Sequence, residues 1–128
     1  MVKTTGEKIL RVGVIRKGKI VEERLLRKKQ DVTIGTQPRN TFVLAGSGIP
    51  KSQKVFSVAR NGAYTLEFTN EMDGRVYLDQ KVQKLQDVRS SEDTIRKGKR
   101  FLLALTAQSR GKVVVGDVTF LFQFVSPP

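Results

Sequence analysis

The sequence predicts an all-β protein, a sandwich of two sheets built from about eleven mostly antiparallel strands. Two observations carry this. Short runs of β-branched and aromatic residues recur along nearly the whole chain, and Gly, Asn, Asp and Pro stand between them at the spacing of tight turns. Only one stretch shows a three-residue recurrence that would suit a helix. Short strands at such regular spacing are the pattern of a sandwich.

Lys8 to Arg16 alternates as a strand, and Lys17-Gly18-Lys19 turns it into Ile20 to Leu26, which gives an opening hairpin. Arg27-Lys28-Lys29-Gln30 follows as an exposed link. Asp31-Val32-Thr33-Ile34 and Thr41-Phe42-Val43-Leu44 are strands, and the residues between them, Gly35 to Asn40, supply turn geometry through Gly, Pro and Asn. Ala45 to Lys51 is small and flexible in composition, a loop by local rules. Val55 to Phe68 then forms two strands around Asn61-Gly62. A two-residue loop there would set Phe56 and Val58 opposite Glu67 and Thr65. A three-residue loop, with Gly62 left-handed in a bulge, sets them opposite Leu66 and Tyr64. Only the second puts Phe56, Val58, Tyr64, Leu66 and Phe68 on one face, so it is the register expected.

Thr69 to Gly74 is read as a polar loop and Arg75 to Asp79 as a short strand. Gln80 to Glu92 is read as irregular strand, although Val82, Leu85 and Val88 recur every three residues. Thr94 to Lys97 and Arg100 to Leu105 are strands around Gly98-Lys99, and Gln108 to Lys112 is a loop. The closing hairpin runs from Val113 to Val125 about a Gly116-Asp117 turn, with Phe120, Phe122 and Phe124 on one face. Ser126-Pro127-Pro128 cannot extend a central strand. One domain is therefore expected over residues 1–125, with residues 126–128 the start of a linker or tail.

Composition narrows the function. The 128 residues contain no cysteine and no histidine, so thiolate nucleophiles, the commonest general base and most zinc ligand sets are missing. No phosphate-binding glycine loop and no carboxylate cluster of metal-site spacing stands in the chain. An enzyme is not expected, nor is a metal or any other cofactor. The residues Met1 to Lys8 lack the apolar segment of a secretion signal, and no apolar run is long enough to span a bilayer. A cytoplasmic location follows as the expectation. Lys and Arg exceed Asp and Glu by 24 to 12, a formal charge of +12 that favours anionic partners.

Three segments, taken in order, resemble the forkhead-associated (FHA) family. Ile34-Gly35-Thr36-Gln37-Pro38-Arg39-Asn40-Thr41 is similar to the family's Ile-Gly-Arg, three variable positions and Asn-Asp. Ser52-Gln53-Lys54-Val55-Phe56-Ser57-Val58 is similar to its Ser-Arg-Arg-His-Ala-x-Ile. Leu66 through Gly74 carries Asp73-Gly74 where the family places Asn-Gly. The likeness spans Thr33 to Val125. It implies an eleven-stranded sandwich that reads phosphothreonine peptides from loops at one end. It also implies the setting of bacterial FHA-like domains, which are often cytoplasmic modules of larger signalling, secretion or motility proteins, some of them linked to a membrane.

The resemblance assigns phosphate contact to the Arg after Ile-Gly and to the Ser, a buttressing role to the His, and a backbone contact to the Asn. Here Ser52 is retained, but those other positions hold Thr36, Val55 and Asp73, and Glu71 stands where a small residue is usual. A guanidinium grips a phosphate with two charge-assisted bonds, whereas a threonine hydroxyl offers one neutral donor. Asp for Asn removes a donor and adds negative charge. The expected function is therefore a scaffold or signalling module that docks a protein partner without requiring phosphate. The residues expected at the binding surface are Thr36, Arg39, Asn40, Lys51, Ser52, Lys54, Asn70, Asp73 and Gly74.

Two alternatives stand beside it. One is a phosphothreonine reader using Ser52 with Arg39 or Lys51. The other is an anionic surface, nucleic acid or lipid, engaged by Arg27, Lys28 and Lys29 or by Arg96, Lys97, Lys99 and Arg100. Nucleic acid is disfavoured, because no Trp is present and the Phe residues sit at core-facing alternation.

Overall fold

A computed structural model of the chain describes residues 7–128, so the reading of Met1 to Gly6 as lacking an apolar leader lies outside the described residues. The alternating runs become twelve strands and one helical turn. In chain order these are β1 (Ile9–Arg16), β2 (Lys19–Leu26), β3 (Val32–Gly35), β4 (Phe42–Val43), β5 (Gln53–Val58), β6 (Tyr64–Phe68), β7 (Asp73–Leu78) and β8 (Lys81–Lys84). They continue with α1 (Leu85–Val88), β9 (Thr94–Lys97), β10 (Arg100–Ala104), β11 (Arg110–Val115) and β12 (Val118–Val125).

The strands divide into two six-stranded sheets, ordered β2-β1-β12-β11-β7-β8 and β4-β3-β5-β6-β10-β9. The expected two-sheet all-β sandwich is thus the architecture found. Every pairing is antiparallel except β3 with β4, where Ile34 lies beside Phe42 in parallel register. A parallel neighbour within so short a span requires the chain between Gly35 and Phe42 to cross over and return, which places that link at one end of the sandwich.

The inner faces carry the alternation. Leu10, Val12 and Val14 of β1 and Val118, Phe120 and Phe122 of β12 are buried against Phe42, Phe56, Leu66 and Phe68 of the opposite sheet. Each phenylalanine on the shared face of β12 meets an aromatic ring across the layer. Phe120 meets Phe42 at 6.0 Å, Phe122 meets Phe56 at 5.2 Å and Phe124 meets Tyr64 at 6.0 Å between centroids. Edge-to-face and tilted pairs of this kind add to the burial that draws the sheets together.

The β5–β6 hairpin has the expected register, with Phe56 opposite Leu66 and Val58 opposite Tyr64. Gly62 there has φ +84°, and Gly62 N–H donates to the Ala59 carbonyl at 2.9 Å. The β1–β2 turn is a two-residue one in which Lys17 (φ +51°) and Gly18 (φ +76°) are both left-handed, the geometry that matches the twist of adjoining strands.

Three local readings are corrected. Gln80 to Glu92 is not irregular strand throughout: it is strand over Lys81–Lys84 and then the helical turn Leu85–Val88. Leu85 and Val88 are buried, as a three-residue spacing on one helical face requires, while Val82 belongs to the strand and is exposed. Asp73 and Gly74 are the first residues of β7 rather than loop, paired with Val114 and Val113 of β11. A Cβ on Gly74 would stand 2.1 Å from the Lys112 carbonyl oxygen, so only glycine fits that close approach. Finally, Arg110 to Lys112 belong to β11, not to the preceding loop.

Candidate functional site

Strand directions bring five connections to one end of the sandwich: β1–β2, β3–β4, β4–β5, β6–β7 and β11–β12. The β9–β10 turn joins them, because Phe101 pairs with Phe68 just before the β6–β7 loop. The expected binding residues Thr36, Arg39, Asn40, Lys51, Ser52, Asn70, Asp73 and Gly74 all lie at or next to this end.

Two of the loops form one hydrogen-bonded unit. Thr36 N–H donates to the Pro50 carbonyl at 3.0 Å and Gln37 N–H to the Lys51 carbonyl at 3.1 Å. Asn40, nearly buried, sends its amide Nδ2 to both the Gln37 and Lys51 carbonyls at 2.9 Å. The Ser52 hydroxyl donates to Asn40 Oδ1 at 2.7 Å. Gly35 sits beneath this ladder, where a Cβ would meet the Lys51 carbonyl oxygen at 2.3 Å. The Ser52 hydroxyl proton and the Thr36 and Gln37 N–H groups are thus given to other groups of the same two loops. Thr36, Arg39, Lys51 and Ser52 are exposed, and among the described residues neither Arg39 nor Lys51 has an ion-pair partner.

The loop from Ala45 to Lys51 is tied down as well. The Arg16 guanidinium donates to the Ala45 carbonyl and to Asp117 Oδ1, the latter at 3.1 Å, and Asp117 N–H donates to the Ser47 carbonyl at 3.3 Å. On the other side, Arg24 donates to the Thr41 carbonyl at 2.6 Å and lies 4.7 Å from the centroid of the Phe42 ring. Thr33 and Thr41 exchange backbone-to-hydroxyl bonds, both 3.0 Å. Arg16, Arg24 and Asp117 therefore position the loops, a role that no local motif announced.

The remaining expected residues point elsewhere. Lys54 pairs with Asp31 at 3.1 Å, along the sheet and away from the loops. Partial burial pushes the Asp31 carboxyl up, but the Val58 N–H and the Lys54 ammonium outweigh it and hold the group below its ordinary value. Asn70 accepts from Arg89 at 2.8 Å, next to the helical turn, and Asp73 accepts from its neighbour Gly74 N–H at 2.9 Å. Val55 is a buried core residue. Of the basic clusters, Arg96 to Arg100 sits at the loop end with Arg100 bonded to the buried Glu67 carboxylate at 2.9 Å. Arg27, Lys28 and Lys29 lie at the opposite end, where Lys29 pairs with Glu7 at 2.5 Å.

No protein-family model matches the chain, and no significant match was found among curated proteins or among solved structures. Fold and site together define an all-β sandwich with a preorganised cluster of loops at one end. No helix among the described residues is long and apolar enough to cross a membrane.

Proposed function

We propose that this chain is a non-enzymatic docking domain of the forkhead-associated type, which engages an acidic protein partner through the loops at one end without requiring phosphate. The observation that carries the reading is the Ser52–Asn40–Lys51 ladder. A hydroxyl has one proton to give, and that of Ser52 is given to Asn40 at 2.7 Å. With Thr36 in the arginine position, the loops keep Arg39 and Lys51 as their outward cations. Point charges of this kind attract carboxylates as well as phosphates, and a rigid scaffold presents them at little entropic cost. The chain has neither cysteine nor histidine, which supports a binding role over a catalytic one.

The test is a peptide array carrying threonine within acidic contexts, probed in phosphorylated and unphosphorylated form. Equal capture of the two forms, reduced in both by Arg39→Glu with Lys51→Glu, is the expected result. Capture that requires the phosphate and is lost in Ser52→Ala would overturn the proposal in favour of a phosphothreonine reader.

A further inference from the structure

The geometry points to a second binding surface, the outward face of the sheet β2-β1-β12-β11-β7-β8, built to hold an acidic, extended polypeptide segment with apolar side chains. It is separate from the loop surface proposed above. A groove lies on this face, and Gly13, in the middle of β1, lines it without a side chain. A Cβ there would meet nothing within 4 Å. Around this recess the sheet registers set taller residues side by side: Leu121 next to Gly13, Lys112 next to Leu121, Arg75 next to Lys112. The neighbouring row brings Arg11, Gln123, Arg110 and Tyr77 into line. The resulting groove has a volume of about 400 Å³.

Its chemistry is one-sided. Arg11, Arg75, Arg110 and Lys112 line it, against the single carboxylate of Glu23. Glu23 is already bonded to Arg11 at 2.6 Å, so among the described residues Arg75, Arg110 and Lys112 have no carboxylate partner. Apolar side chains stand between and beside these charges: Ile20 is 61% exposed, Val82 63% and Leu121 39%. Solvated charge alone needs no such company. An occupant that satisfies both carries carboxylates and apolar groups in alternation, as an extended polypeptide does at roughly 7 Å intervals on each side. From β1 to β8 the face crosses four strand spacings, roughly 19 Å, a length that about six extended residues cover.

Nucleic acid fits less well. Binding of single strands uses aromatic faces for base stacking. Tyr77 is the aromatic residue lining the groove with its ring on this face, and the Arg110 guanidinium lies over that ring at 4.0 Å.

The experiment uses the whole chain, isotope-labelled, titrated with an alternating glutamate–valine peptide about eight residues long. Its glutamine–valine twin and an oligouridylate of equal length are titrated in parallel. The expected result is amide shifts centred on Gly13, Gly111 and Leu121, with binding to the glutamate peptide alone. Arg75→Glu with Lys112→Glu weakens it at least about tenfold, the effect of reversing charge in a complementary patch. Gly13→Val fills the recess from its floor and abolishes binding while the amide spectrum elsewhere is retained, and the charge variant stands alone should that substitution unfold the sheet. Equal binding of the glutamine twin, tighter binding of the oligouridylate, shifts confined to the loops, or no shifts at the sheet face would each overturn the assignment. Shifts confined to the loops would overturn this assignment while leaving the loop proposal standing, and loss of capture in Arg39→Glu with Lys51→Glu leaves shifts at the sheet face untouched, so the two proposals fail separately.

Discussion

Asn40 is the residue on which the loop end depends, and its removal gives a measurable loss. Asn40→Ala deletes the two amide bonds to the Gln37 and Lys51 carbonyls and the bond accepted from Ser52. Each buried hydrogen bond contributes on the order of 1 kcal/mol net. The Lys51 carbonyl keeps its bond from Gln37 N–H, and exposed Ser52 can turn to water, so little penalty is added for orphaned groups. The expected loss is about 2–3 kcal/mol, equivalent to roughly 10 °C in Tm for a domain of this size. Ser52→Ala removes one of the same bonds and should cost about 1 kcal/mol. Because both act through that bond, the double variant should lose about 1 kcal/mol less than the sum of the singles. Urea denaturation monitored by circular dichroism measures all three. Asn40→Ala within about 0.5 kcal/mol of wild type, or strict additivity with Ser52→Ala, would refute the ladder as the organiser of these loops.

Two further outcomes follow from the backbone and from charge. Gln80 holds φ +68° in the β7–β8 turn, a left-handed conformation that costs non-glycine residues energy. Gln80→Gly should therefore raise stability by about 0.5 kcal/mol, net of glycine's greater freedom when unfolded, and an unchanged or lower urea midpoint would contradict this. Asp31 in the folded protein lies below its ordinary value of 3.8, so its stabilisation is present above that pH and is lost as pH falls through the folded value. Asp31→Asn should flatten the acid limb of the stability profile below about pH 4. Superimposable acid limbs in wild type and variant would rule out this contribution.

Much of the fold was legible because local choices were exclusive. Only one loop length at Asn61-Gly62 puts five apolar side chains on one face, and β5 and β6 adopt it. The turn at Leu85 to Val88 was not legible for the opposite reason. Val82, Leu85 and Val88 share one spacing although the first is in a strand, and periodicity cannot show where a strand hands over to a helix. The loop end was half legible. Gly35, Asn40 and Ser52 stood out as turn and polar residues. That Asn40 faces the Lys51 carbonyl depends on β3 lying antiparallel to β5, with Ile34 opposite Gln53, a long-range fact. Strand order was the missing information for the outer groove too. Arg11, Arg75, Arg110 and Lys112 form no run in sequence, and alternation tells which face a residue takes but not which strand lies beside it.

The distribution of charge separates cations paired within the chain from those that the two proposals assign to a partner. The described residues form six ion pairs, and Arg11, Arg16, Arg24, Lys29, Lys54 and Arg100 supply the cations. Several of these also bond backbone or lie over a ring, as Arg16 does at Ala45 and Arg24 at Thr41 and Phe42. Their positive charge is spent within the chain. Arg39, Lys51, Arg75, Arg110 and Lys112 take no part in those pairs, and they lie on the two proposed surfaces. On the two proposals, part of the excess of +12 lies over the loop end and part over the apolar recess of the sheet face. Exposed pairs are worth little and are screened by salt, so added salt should change folding stability only slightly. An acidic partner steered by the uncompensated cations should lose on-rate steeply over the same range, and this contrast distinguishes charge that holds the fold from charge that recruits a ligand.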